Sequence, residues 1–153
     1  MVNSPWRLDS KAPGVADAFR KAASEMRRQA ILAACETVVP IVGLEADDDV
    51  NAALRALRER RSNDSALRAR LSALSGRFDD EYFRLDEEGD EARKPEVLRL
   101  FAKARGASAL AFALSDDASQ LHEAVYEAMS ALIDDPSEVA RAVEAALRAS
   151  APS

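Results

Sequence analysis

The sequence predicts an all-α fold: a single compact bundle of about six helices around a central apolar helix. Three observations predict it. Alanine, leucine, arginine and glutamate, all strong helix formers, dominate the 153 residues. Glycine (5) and proline (6) are few and aromatics reach only 5%, whereas an all-β domain needs more turn residues and more β-branched and aromatic side chains. Apolar residues recur at three- and four-residue steps along most of the chain. With 48% hydrophobic and 31% charged residues, the composition is that of a globular chain with a core.

Residues 1–14 hold Pro5, Pro13 and Gly14 among polar side chains and read as an irregular arm, with Trp6 folding back onto a domain at 15–150. Phe19, Met26, Ala30, Ala33 and Thr37 predict a first helix over about 15–38. Pro40 is expected to stop it, because proline pushes the preceding residue out of helical geometry. Ile41, Val42 and Leu44 then form a short apolar linker into the core. Asp47 or Asp48 can cap a second helix over about 48–61, with Val50, Leu54 and Leu57 inward. Asn63 or Asp64 can cap a third over about 64–76, with Leu67, Leu71 and Leu74 inward and Gly76 as its C-terminal glycine. The short gap between them predicts an antiparallel hairpin.

Pro95 suits the first turn of a fourth helix over about 95–114. Its second half, GASALAFAL, is apolar all round, so it is placed at the centre of the domain. Leu121, Val125, Met129 and Leu132 predict a fifth helix over about 118–133. Asp135-Pro136-Ser137-Glu138 opens a sixth, with Val139, Val143, Ala146 and Leu147 buried and 150–153 as a frayed end.

Composition also bounds function. The single cysteine, Cys35, excludes an intramolecular disulfide, and a reducing, cytoplasmic setting is expected. Residues 1–14 carry no apolar run of the signal-peptide kind. The longest nearly uncharged run, Gly106–Ser115, falls short of the roughly twenty residues that span a bilayer, so no membrane is expected. An isoelectric point near 4.9 argues against nucleic acid as a partner. His122, the only histidine, lacks a nucleophile motif or a Glu-x-x-His partner, and reads as a half-buried helix residue. Cys35 reads as a small core residue. The five scattered glycines form no phosphate loop, and 79–91 lacks calcium-loop spacing. No catalytic residue, cofactor or metal is expected.

The most informative segment is 79–91, DDEYFRLDEEGDE. Eight carboxylates and one arginine give it a charge of −7 in a chain whose total is −6. One reading makes it a docking surface for a basic partner: Asp79, Asp80, Glu81, Asp86, Glu87, Glu88, Asp90 and Glu91 steer, while Tyr82 and Phe83 anchor. A second makes it a solvated loop or short helix that screens the arginine-rich hairpin (Arg55, Arg58, Arg60, Arg61, Arg68, Arg70, Arg77), and a third, with Tyr82, Phe83 and Leu85 turned inward, makes it a core clasp with an acidic outer face.

Residues 28–60, RQAILAACETVVPIVGLEADDDVNAALRALRER, with Cys35, Glu36 and Pro40, resemble the opening of all-helical predicted immunity proteins of bacterial polymorphic toxin systems. Residues 103–132 are similar to the Ala-rich helix pair that closes such domains. The resemblance implies an all-helical fold and a protein-binding role, and transfers no catalytic residue. Charge and resemblance together predict an immunity or antitoxin-like protein that occludes a cationic toxin domain. The alternatives are a structural or adaptor protein that forms a homodimer through an apolar helix face, and an enzyme with a carboxylate or His122 site.

Overall fold

A computed structural model describes residues 5–61 and 64–149, and among them the secondary structure is entirely helical. The eight α-helices are α1 (Arg7–Lys11), α2 (Pro13–Lys21), α3 (Ser24–Val42), α4 (Asp48–Arg58), α5 (Ser65–Glu88), α6 (Lys94–Ala113), α7 (His122–Ala131) and α8 (Ser137–Ala149). Short 3-10 turns at Glu91–Arg93 and Ala118–Gln120 lead into α6 and α7. The count exceeds six because the expected first helix divides in two and the arm forms a helix of its own.

The arm is helical from Arg7. The Trp6 amide donates to the Asp9 carboxylate at 2.7 Å, capping α1, and Leu8 is fully buried. Pro13 opens α2. The single helix expected over 15–38 is two helices, broken where Ala22 and Ala23 are extended. No breaker residue marks the place. The Arg27 guanidinium stands in for one by donating to the carbonyls of Phe19 (2.8 Å) and Arg20 (2.6 Å) at the end of α2.

Pro40 does not stop α3, which runs on to Val42. A proline this near the C-terminus removes one bond of the last turn, where the helix is closing anyway. Closure falls to Gly43, left-handed at φ 81°. The Leu44 amide donates to Val39 O at 3.0 Å and the Gly43 amide to Pro40 O at 3.3 Å, a Schellman ending. Leu44 is buried, as the linker reading expects, but Ile41 is exposed.

Asp47 caps α4 through the Val50 amide and Asp64 caps α5 through the Leu67 amide; Asn63 and 150–153 lie outside the described residues. Gly76 does not end α5. The helix continues to Glu88 and closes on Gly89, left-handed at φ 65°. The apolar series Leu67, Leu71, Leu74 simply runs on through Phe78, Tyr82 and Leu85. The acidic segment is therefore mostly helix. The long antiparallel pair is α5 with α6, joined by residues 89–93; α4 and α5 also touch.

The second half of α6 lies at the centre, as its apolar sequence predicts. Ala104, Ala107, Ala109 and Leu110 are fully buried, and α6 packs on α3, α4, α5 and α7. A Cβ added at Gly106 would meet Leu44 Cδ1 and Val42 Cγ2 at 3.1 Å, so its lack of a side chain lets α3 and α6 approach closely. At the far end of the α5–α6 hairpin, Leu85, Val97 and Leu100 make a separate small core, flanked by Phe78 and Tyr82.

The exposed Gly76 has nothing near the position of an added Cβ. Gly76→Ala is therefore expected to raise the unfolding free energy by about 0.5–1 kcal/mol, measured by urea denaturation. Destabilisation would mean that residue 76 needs the left-handed geometry of a helix end.

Candidate interaction surface

The acidic segment forms the outer face of the second half of α5. Its inward stripe, Phe78, Tyr82 and Leu85, is what holds that face in place. Leu85 is buried. Tyr82 is half-buried, with its ring 5.6 Å from Phe101 and 5.1 Å from Phe83. Phe83 points out, at 58% exposure. Asp79 and Asp80 precede it by four and three residues, and Asp86 and Glu87 follow by three and four. Helical spacing therefore sets these carboxylates around the phenylalanine ring.

The arginines of 55–77 do not neutralise this face. Arg58 pairs with Glu36 at 2.9 Å, Arg60 with Glu25, Arg61 with Glu59 at 2.8 Å, Arg68 with Asp116 at 3.4 Å and Arg70 with Asp49 at 3.0 Å. Screening thus fails for these five arginines, which find other acids, and the core-clasp reading holds for Leu85 and in part for Tyr82 but not for Phe83, which is out. Asp79 is the member drawn inward, accepting from Arg105 Nη2 at 2.8 Å. Arg84 lies 3.7 Å from Glu81 and 3.8 Å from Glu88, and Arg93 reaches Glu88 at 3.4 Å. Asp80, Asp86, Glu87, Asp90 and Glu91 have no ion-pair partner among the described residues. Asp90 caps the 3-10 turn through the Ala92 amide at 3.0 Å.

Arg105 ties this face to the interior. It donates from Nη1 to both carboxylate oxygens of Glu127, at 3.2 and 3.1 Å. Glu127 is only 3% exposed and also accepts from Arg7 at 3.3 Å. Arg7 further pairs with Glu123 and lies 4.2 Å over the Tyr126 ring. A cleft of about 580 Å³ opens beside Asp79 and Arg105, between α5, α6 and the residues after α6. Of its charged side chains, Arg68 pairs with Asp116 and Arg105 with Asp79, while Asp117 accepts from the Ser119 amide and hydroxyl.

His122 is buried rather than half-buried. The Trp6 indole stacks on it at 4.1 Å and 7°, and the Arg20 guanidinium covers the other face of the indole at 4.0 Å. Trp6 does fold back, and this stack pins α1 to α7. Nε2 lies 3.1 Å from Glu123 Oε1, while buried Nδ1 has no partner among the described residues. The neutral Nε2–H tautomer donates to Glu123 and leaves Nδ1 as a buried lone pair without a donor among the described residues. Burial pushes the His122 pKa down, aided by the charge of Arg20 and opposed by Glu123 and Asp9. Asp9, gripped by Arg20 through two bonds of 2.6 Å, is held down at about 2. Burial drives the Cys35 thiol up to about 12, so it is an inert core residue. Among the described residues no three His, Cys, Asp or Glu side chains form a group that could hold a metal ion. No helix of the described residues is long and apolar enough to cross a membrane. The chain matches no family model, no curated protein and no solved structure.

Because folding lowers the His122 pKa, the unfolded chain takes up a proton first as pH falls through about 6.5, and stability is lost below that pH. Denaturant titrations from pH 7 to pH 5 should show wild type losing stability. In His122→Gln that component of the pH dependence should be absent.

Proposed function

We propose that the chain is a binding protein of the immunity or antitoxin kind, which occludes a cationic toxin domain in the cytoplasm of a bacterial cell. The observation that carries this reading is the exposed Phe83 ring flanked by Asp80, Asp86 and Glu87, none of them ion-paired among the described residues, on the outer face of α5. Carboxylates without internal partners accelerate encounter with a basic surface, and a desolvated aromatic supplies the hold. The resemblance of residues 28–60 and 103–132 to predicted immunity proteins supplies the class of partner. Toxins that act on nucleic acid present basic surfaces, which this face complements. The mechanism is steric: Phe83, with Tyr82 behind it, sits at the centre of the contact, and the acids flank it. Catalysis forms no part of this reading.

The placement of the acids supports a role outside the fold. Asp86, Glu87 and Glu88 occupy the last turn of α5, which holds no basic residue. Negative charge there opposes the helix dipole, and Asp86 and Glu87 have no ion pair among the described residues to offset it, so these two side chains do not stabilise the helix they sit on. Surfaces kept at some cost to stability are characteristic of binding sites.

The test compares wild type with a variant carrying Phe83→Ser, Asp80→Asn, Asp86→Asn and Glu87→Gln in affinity capture from the source organism. Wild type is expected to retain a basic protein that the variant loses, with an association rate that falls as salt rises. The variant should melt at or slightly above the wild-type temperature. Equal capture by both proteins would remove the reading.

A further inference from the structure

Ile41, Leu98 and Ile133 are three of the large hydrophobic side chains exposed among the described residues, at 49%, 42% and 45%. They come from the end of α3, the first half of α6 and the connection from α7 to α8, far apart in sequence. All three line one open groove of about 550 Å³. Scattered single exposed aliphatics need no explanation, but a convergent group in one groove marks an interaction site.

The charges around that groove identify the occupant. Its α6 wall carries Arg99 and Lys103, and its α7–α8 wall carries Asp134, Asp135 and Glu138. None of these five has an ion-pair partner among the described residues, although many of the chain's other charges are paired. A uniformly basic partner would meet repulsion at the α6 wall, and a uniformly acidic one at the α7–α8 wall. A surface that carries both signs on different walls is complementary to itself. A two-fold axis through the groove sets the basic wall of one protomer against the acidic wall of the other, twice, with the aliphatic side chains between them. The geometry points to this groove as the isologous interface of a homodimer, separate from the acidic face of α5, with which it shares no residue. The apolar centre supplies the attraction, and the rim charges fix the pairing and reject other partners.

The test uses the full chain and two charge-reversed variants. Arg99→Glu with Lys103→Glu makes both walls acidic. Asp134→Lys with Glu138→Lys makes the groove predominantly basic; Asp135 is left in place because it caps α8 through the Ser137 amide at 3.0 Å. In sedimentation velocity across a concentration series, wild type is expected to dimerise. Each variant alone should dissociate at least about tenfold more readily, while keeping a wild-type helical circular dichroism spectrum. An equimolar mixture should restore the dimer, with one chain of each kind by native mass spectrometry, because acidic walls then meet basic ones on both sides of the axis. The mixing arm also shows that both variants are folded. A wild type that stays monomeric throughout overturns the proposal and leaves the groove to a different protein. So does a dimer indifferent to the reversals, or a mixture that fails to re-form it.

Discussion

Glu127 is a carboxylate withdrawn almost wholly from water, and a buried charge is tolerable only where it is paired and hydrogen-bonded. Two guanidinium groups meet that demand, Arg105 from α6 and Arg7 from α1. Their placement organises much of the molecule. Arg7 can reach only if α1 lies against α7, and the Trp6–His122 stack holds it there. Arg105 has donors left over, and one takes Asp79 from α5. A chain of alternating charges thus runs from the amino-terminal helix through the interior to the acidic face. The inward stripe of Phe78, Tyr82 and Leu85 fixes the rotation of α5 and leaves Phe83 pointing outward.

The α5–α6 hairpin is built on two apolar clusters rather than one. Leu67, Leu71 and Leu74 of α5 enter the main core with the second half of α6. Beyond Phe78, which touches both clusters, the helices close on Leu85, Val97 and Leu100 alone. The acidic face is the outside of this second cluster. It rests on few buried contacts and is covalently close to the 89–93 turn, so its local stability sits below that of the central layer. A surface that must adjust to a partner gains from that separation, because its adjustment leaves the packing around Ala107 and Leu110 undisturbed.

Much of the helical architecture is legible in the sequence because burial follows the apolar period. The central position of α6, the caps at Asp47 and Asp64 and the start of α8 all follow from local chemistry. The failures share a cause: a local signal yielded to a tertiary one. Gly76 resembles a helix end, but the apolar series continues past it and Gly89 supplies the closing geometry. Pro40 resembles a stop, but a helix in its last turn can accommodate it. The break at Ala22-Ala23 has no local signal, since Arg27 closes α2 from a distance. The acidic segment stands out in sequence, but the pairing of Asp79 with Arg105 does not, because no spacing rule connects the two. The aliphatic groove is invisible in one dimension because Ile41, Leu98 and Ile133 meet only after folding.

The stack of Trp6 on His122 joins the chain's single tryptophan to its single histidine. The protein therefore carries an intrinsic optical label at one defined junction, between α1 and α7. Its indole emission reports the solvent and the quenching neighbour at that junction and nowhere else. Undocking of the amino-terminal helix can thus be followed as a fluorescence change, while the backbone signal reports the remaining helices. The same arrangement separates local release of the first turn from global melting without any introduced dye.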